Sequence, residues 1–204
     1  MKGAVVPTDT FAAIRRVLAH PGRDTSDYDL NPATRLAPDR ALRPAAVLVP
    51  LIPGPGGLAV ILTRRSSRLL HHPGQIAFPG GKIDAGDADA TAAALREAEE
   101  EIGLPRDRVE VIATMDVHET VTGFSVIPVL GCIRAGFDPR PEPGEVDEVF
   151  AVPLSHLLDR ARYRIEGRRW RGEMRRYYTV PYGPYYIWGA TARILRALAD
   201  RMAQ

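Results

Sequence analysis

A chain of 204 residues, 45% apolar and 25% charged, is long enough for one domain with a full hydrophobic core. A net charge of +2 gives no electrostatic footprint for nucleic acid, and no apolar run reaches the roughly 20 residues that cross a bilayer. A single cysteine, Cys132, excludes an internal disulfide and sits in the apolar run 124–133 as a core thiol; with no secretory leader pattern at the N-terminus, the expected compartment is cytoplasmic.

Taken in chain order, Thr8-Asp9-Thr10 opens a short amphipathic helix to about Ala19, with Phe11, Ile14, Val17 and Leu18 on its apolar side. Residues 21–43 are polar and proline-bearing and are expected to wrap the surface. Residues 1–42 thus form an N-terminal segment ahead of a domain at 43–204, the whole one compact unit with no linker. Residues 45–52 and 58–63 read as strands joined by the turn Pro53-Gly54-Pro55-Gly56-Gly57, a hairpin with a five-residue loop. A short strand at 75–78 enters Gly80-Gly81. The alanine-rich run from 88 predicts a helix closed by Gly103. Strands follow at 109–115, 124–133 and 148–152, and Pro153 opens a short helix at 154–158. Residues 163–165 and 176–180 form the arms of a second hairpin. Gly189 starts the closing helix, with Ile194, Leu195 and Leu198 at helical spacing. Periodicity alone gives mixed α and β.

The helix ending at Gly103 carries Arg96-Glu97-Ala98-Glu99-Glu100-Glu101-Ile102. At 100° per residue Glu97 and Glu101 share a face with Glu100 in reach of both, Glu99 points elsewhere, and Thr91, Leu95, Ala98 and Ile102 face a core. Three carboxylates near a helix C-terminus repel one another and oppose the macrodipole, which a hard divalent cation would offset. A solvated acidic face is the plainer alternative. Glycines, a polar loop, then R-E-x-x-E-E-x-G and an apolar residue resemble the Nudix box, the signature of the Nudix hydrolases. That resemblance implies an α+β fold, a Nudix-type α/β/α sandwich with a mixed β-sheet, and Mg²⁺ or Mn²⁺ held against a diphosphate by Glu97, Glu100 and Glu101. Gly81 serves as the working glycine, and Arg96 buttresses the acids. Counted back from Arg96, the family's first glycine falls on Lys82 and its early glutamate on Ala88, so the loop here is one residue longer. Asp84, Asp87 and Asp89 lie near the missing acid, and Asp87 is expected to be the helix N-cap.

Residues 61–81, ILTRRSSRLLHHPGQIAFPGG, are similar to the signature of the coenzyme A diphosphatase subgroup. Leu62-Thr63, Arg65, Ser66, Gly74 and Phe78-Pro79-Gly80-Gly81 match in place; Leu70 stands where that signature has arginine, with Arg68 two residues earlier. Residues 187–192, Ile-Trp-Gly-Ala-Thr-Ala, also look like the subgroup's ending. The resemblance implies substrate contacts by Arg65, Ser66, Phe78 and Gly80, and products 3′,5′-ADP and 4′-phosphopantetheine. His71 and His72 read as turn polarity. Residues 160–176 hold eight arginines with Trp170 and tyrosines interleaved. Arg168 and Arg169 are candidates for the substrate's 3′-phosphate beside a stacking ring. The same segment reads equally well as a solvated hairpin or an oligomer contact, which leaves a homodimer open. Glu145 and Glu148, in the region where related enzymes place a further ligand or base, are both candidate general bases; strand-edge polarity is their plain alternative. The partner expected is a small coenzyme A-like diphosphate, with no nucleic acid and no membrane. The alternatives are a Nudix pyrophosphatase for ADP-ribose or another nucleoside diphosphate derivative, and a catalytically silent binding module.

Overall fold

The computed structural model describes residues 8–34, 40–134, 136–170 and 172–204, without the side chains of residues 8–10, 34 and 170. Arg171, the Trp170 ring and residues 35–39 of the wrapping stretch lie outside the described residues. The elements run α1 (Thr8–Leu18), β1 (Thr25–Ser26), β2 (Arg43–Gly54), β3 (Gly57–Arg65), β4 (Ile76–Ala77), β5 (Gly80–Lys82), α2 (Ala90–Ile102), β6 (Val109–Thr114), β7 (His118–Glu119), β8 (Phe124–Ile133), β9 (Val146–Pro153), α3 (Leu154–Leu158), β10 (Arg164–Trp170), β11 (Glu173–Thr179) and α4 (Gly189–Met202).

Strand β2 is the spine of a mixed sheet. It runs parallel to β8 from Arg43↔Phe124 to Leu51↔Cys132, and antiparallel to β3 and β5 on its other edge. β9 lies on the far side of β3, and β6 and β7 pair with β8. Because both faces are covered, β2 and β3 are nearly continuous apolar runs. Ala46, Leu48 and Ile61 pack with Val129 and Ile133 under α2, against Ala93, Ala94, Ala98 and Ile102. Their neighbours Val49, Leu51, Val60 and Leu62 face the other way, onto Ile14 and Leu18 of α1, Leu154 and Leu157 of α3, and Leu195 and Leu198 of α4. This is the α+β, α/β/α sandwich expected.

The structure differs from the sequence expectations at several points. The first hairpin turns over two residues and not five, because pairing continues to Gly54↔Gly57, with Gly57 at φ 117. The strand at 75–78 narrows to Ile76–Ala77, and Gly80–Lys82 forms a separate strand against β2. Two glycines and a lysine carry no strand pattern, so nothing local announced it. The wrapping segment is woven into the sheet: β1 pairs in parallel with β7, and Thr25 Oγ1 lies 2.9 Å from Nδ1 of the fully buried His118.

Strands β10 and β11 form a separate two-stranded ribbon. Asn31 clips it to the body: its Nδ2 donates to the Arg176 carbonyl and its Oδ1 accepts from the Arg176 N–H, both at 2.8 Å. Among the described residues no helix is long and apolar enough to cross a membrane.

The Asn31→Ala variant leaves both Arg176 backbone groups without this partner. It should lower stability by about 1–3 kcal/mol in urea unfolding, with faster amide exchange at residues 175–177 while α2 stays protected. Exchange unchanged at those residues would show that the clip does not hold the ribbon.

Candidate active site

Helix α2 is set by its two ends. Asp89, with extended backbone, accepts from the Ala92 N–H at 2.8 Å and is the N-cap; Gly103 closes the helix in the left-handed conformation at φ 68. The expectation that Asp87 caps the helix is therefore corrected. The apolar stripe is also rotated from the expected one. Ala93, Ala94, Ala98 and Ile102 are buried, Thr91 and Leu95 only partly, and Glu101 lies among the buried residues at 5% exposure. Alanines let the helix lie close to the sheet, and that closeness takes Glu101 down with them.

The glycine corner meets this face. Gly80 has φ 154, and a Cβ there would sit 2.5 Å from the Ala46 carbonyl oxygen. At Gly81 a Cβ would sit 2.5 Å from the Glu97 carboxylate carbon, so any larger residue there would push that carboxylate from its place. The Gly80 N–H donates to Glu101 Oε2 at 3.1 Å, and the Arg65 guanidinium lies 3.8 Å from Glu101 Oε1. Burial pushes the Glu101 carboxyl up to about 7; the Gly80 N–H and Arg65 only partly offset it, and the charges of Glu97 and Glu145 add to the rise. Burial also raises Glu97, against the opposing pull of Arg96.

Arg96 is the hub of the remaining acids. Its Nε and Nη2 both donate to Asp87 at 2.9 Å, and Nη2 also reaches the Lys82 carbonyl at 3.1 Å. Its Nη1 donates to Glu97 Oε1 at 2.9 Å and to Glu100 Oε2 at 3.0 Å. The Arg96 hydrogen bond and the Asp84 N–H hold the Asp87 carboxyl down to about 2, and Asp87 in turn raises Arg96. Sequence reasoning missed this role. The signal was available: the position of the early acid is vacant at Ala88, and an aspartate stands one residue before it. Glu99 turns away to Arg106 at 2.6 Å.

The structure brings Arg65, Gly80, Gly81, Arg96, Glu97, Glu100 and Glu101 together, with Glu145 near enough to act on Glu101. It leaves others outside. Ser66, expected to touch substrate, is fully buried and organises its turn: its N–H donates to the Glu145 carbonyl and its Oγ accepts from the Arg68 N–H. Phe78, also expected at the substrate, is a core residue at 5% exposure, because Phe78-Pro79 leads the chain inward from β4. Glu148 accepts from the Tyr185 hydroxyl at 2.6 Å and pairs with Arg64 at 3.3 Å. Alternation along β9 puts it on the face opposite Val149, which packs under α2, so it points away from the acids. Arg168 and Arg169 are exposed on the ribbon and touch none of the α2 carboxylates.

Among the described residues no three metal-ligating side chains converge at ligand spacing as they stand, because Arg96 draws Glu97 and Glu100 aside. The donor set nevertheless fits a hard divalent cation. Glu101 is a buried carboxylate with one N–H and a distant guanidinium, and Arg96 occupies one oxygen each of Glu97 and Glu100.

A NUDIX domain family model matches residues 42–172. The chain belongs to the Nudix family. It is 45% identical to the uncharacterised Nudix hydrolase NudL of Escherichia coli K12 over 159 residues, covering 77% of this chain and 81% of that one, and equally so to NudL of Citrobacter koseri. The MutT protein of Methanosarcina mazei Go1 shares the fold at TM-score 0.50, with 17% identity over 82% of this chain and 99% of that one. The chain is thus a Nudix hydrolase, and Nudix hydrolases use divalent metal ions.

Two outcomes follow from these contacts. Asp87→Asn removes the charge that seats Arg96; divalent-ion affinity should fall about 10- to 100-fold, read by calorimetry, while the fold is kept. An unchanged affinity would show that Arg96 needs no such seat. In metal-free protein, Glu101 holds its proton more tightly folded than unfolded. Stability should therefore fall as pH rises from about 4.5 to about 7, by up to roughly 3 kcal/mol. Glu101→Gln should abolish that slope, raise the melting temperature of the metal-free protein at pH 8, and remove the stabilisation gained on adding metal.

Proposed function

We propose that this Nudix hydrolase cleaves the diphosphate of coenzyme A or its acyl derivatives, giving 3′,5′-ADP and a 4′-phosphopantetheine product, with Mg²⁺ or Mn²⁺. The observation that carries the reading is the path of residues 61–81. This segment resembles the coenzyme A diphosphatase signature, and it runs from Arg65, beside Glu101, to the Gly80-Gly81 corner against Glu97. Arg65 and the Gly80-Gly81 corner, the two ends of that segment, support the reading because both meet the α2 acids.

A diphosphate between two bulky groups carries negative charge on every exposed oxygen and repels a nucleophile. Bound divalent cations supply charge neutralisation and a more acidic water. Glu97, Glu100 and Glu101 are the residues that would hold them. Arg96 keeps Glu97 and Glu100 in fixed rotamers, and Gly81 leaves room for the Glu97 carboxylate beside β5. Arg65 meets the substrate's negative charge from the β3 side. Glu145 is the general base: its side chain is exposed, its charge reaches Glu101, and among the described residues no donor ties its carboxylate. Glu148, held by Tyr185 and Arg64, does not take that part. Arg168 and Arg169 supply cations for the 3′-phosphate.

Steady-state rates with Mg²⁺ or Mn²⁺ on coenzyme A, ADP-ribose, NADH and nucleoside triphosphates test the reading. The highest kcat/KM should be on coenzyme A; preference for a substrate without pantetheine would overturn the assignment, and inactivity on all would favour a binding module. Glu145→Gln should lower kcat about 10²- to 10⁴-fold with little change in KM, whereas Glu148→Gln should change it less than tenfold. The reverse order would move the base to β9.

A further inference from the structure

The base of the β10–β11 ribbon carries an aromatic cluster that the cleavage chemistry does not use. Trp188, the residue before α4, is half-exposed. Its backbone is held by a bridge to Thr179 between the buried residues Val180 and Ile187, and Gly189 turns the chain at φ 65 into the helix. Its ring is braced by Tyr177, 5.0 Å between centroids, and by Tyr186 at 6.4 Å. The two tyrosine hydroxyls lie 3.4 Å apart, and Tyr186 donates to Glu166 at 2.6 Å. Burial and that hydrogen bond raise the Tyr186 hydroxyl well above its ordinary range, so the brace stays neutral at working pH. The Arg168 guanidinium lies over the indole, 5.0 Å from its centroid. Among the described residues Arg168 has no carboxylate partner, and the indole N–H donates to nothing.

The cluster joins the metal acids through one wall. A Cβ on Gly189 would sit 3.8 Å from Gln75 Nε2, and Thr191 Oγ1 donates to the Ile76 carbonyl at 3.1 Å. The Gln75 carbonyl accepts from the Arg65 N–H at 3.0 Å, and the Arg65 side chain reaches Glu101. Gly189, next to Trp188, thus neighbours Gln75, and Gln75 is hydrogen-bonded through its backbone to Arg65, whose side chain reaches Glu101.

We infer that Trp188 is the stacking platform for the purine base of a nucleotide substrate, with Arg168 closing on the base or its ribose phosphate. A braced, part-exposed indole under an exposed cation suits a base in three ways. Stacking covers its apolar face, the free indole N–H offers a donor at the ring edge, and the guanidinium trades a weak ring contact for an anion. An aromatic cluster serving only to close the end of the ribbon would need neither the unpaired guanidinium nor an exposed ring face. The inference rests on the proposal of a nucleotide substrate, and it gives Trp188 the part of the stacking ring expected beside the arginines.

The test uses the full chain in EDTA, where no turnover occurs, and follows tryptophan fluorescence. The chain has two tryptophans, so Trp188→Phe leaves Trp170 as the reference. Adenosine 3′,5′-bisphosphate should quench wild-type emission saturably, 4′-phosphopantetheine should not, and Trp188→Phe should lose the quenching. With metal, Trp188→Leu should raise KM for coenzyme A about 5- to 100-fold with kcat within threefold, and Trp188→Phe should restore most of the affinity. No quenching in wild type, quenching that persists in Trp188→Phe, or a KM unmoved in Trp188→Leu would each overturn the platform. The two proposals fail separately. Adenine-nucleotide quenching without coenzyme A hydrolysis sinks the substrate and keeps the platform, whereas hydrolysis with normal KM in Trp188→Leu does the opposite.

Discussion

The close approach of the Gly80-Gly81 backbone to the carboxylates of α2 is the constraint from which the site follows. The Gly80 Cα passes so near the Ala46 and Val47 backbone that no side chain fits, and a side chain at Gly81 would displace the Glu97 carboxylate. That proximity needs a helix lying low on the sheet, which Ala93, Ala94 and Ala98 permit and the core under Ile102 enforces. A helix that low cannot keep Glu101 in water. The buried acid with its raised pKa is thus a consequence of packing, and packing energy holds the carboxylate in place although its charge is disfavoured there. Cation binding recovers what burial withdrew, which couples metal affinity to the fold of the glycine corner.

Arg96 solves the opposite problem, that of exposed acids which would otherwise swing freely and repel. Its planar fork takes one oxygen from each of Glu97 and Glu100 on one side and grips Asp87 with two bonds on the other. A lysine would offer one point charge and could not hold three carboxylates in fixed relation. The longer loop after the glycines matters for this reason. An acid displaced by one residue still reaches the guanidinium, because the loop, unlike the helix, has no fixed phase.

This separates what the sequence could and could not reveal. The core strands, α2 with its Gly103 stop, and the pairing of Arg96 with Glu100 were legible because each depends on local periodicity or helical spacing. Strands β5 and β7 were not: Gly80-Gly81-Lys82 and His118-Glu119 are strands only because β2 and β8 are there to pair with. Asp87 looked like a cap because capping is a local rule, and its actual partner lies nine residues away across a loop. Ser66 and Phe78 matched a motif by position, yet a motif does not say which of its residues face substrate and which hold the turn. Leu70, in the place of the signature's arginine, is 95% exposed, so that departure falls on a side chain with almost no contacts to lose.

The distribution of charge connects these parts. Residues 160–176 set eight arginines against two glutamates, a net +6, so with +2 overall the remainder of the chain carries −4. An acidic cleft that must accept a polyanion has an electrostatic conflict, which cations at the acids remove only locally. The segment 164–179, with six of these arginines against two glutamates and clipped to the body by Asn31, would on the proposed reading place attraction at the end of the substrate remote from the bond that breaks. On that reading, charge and ring at Arg168 and Trp188 would bind the nucleotide where no chemistry occurs, while Arg65 brings a guanidinium to Glu101 from outside the helix. Such a division would let remote binding energy orient the diphosphate without neutralising the acids that hold the cation.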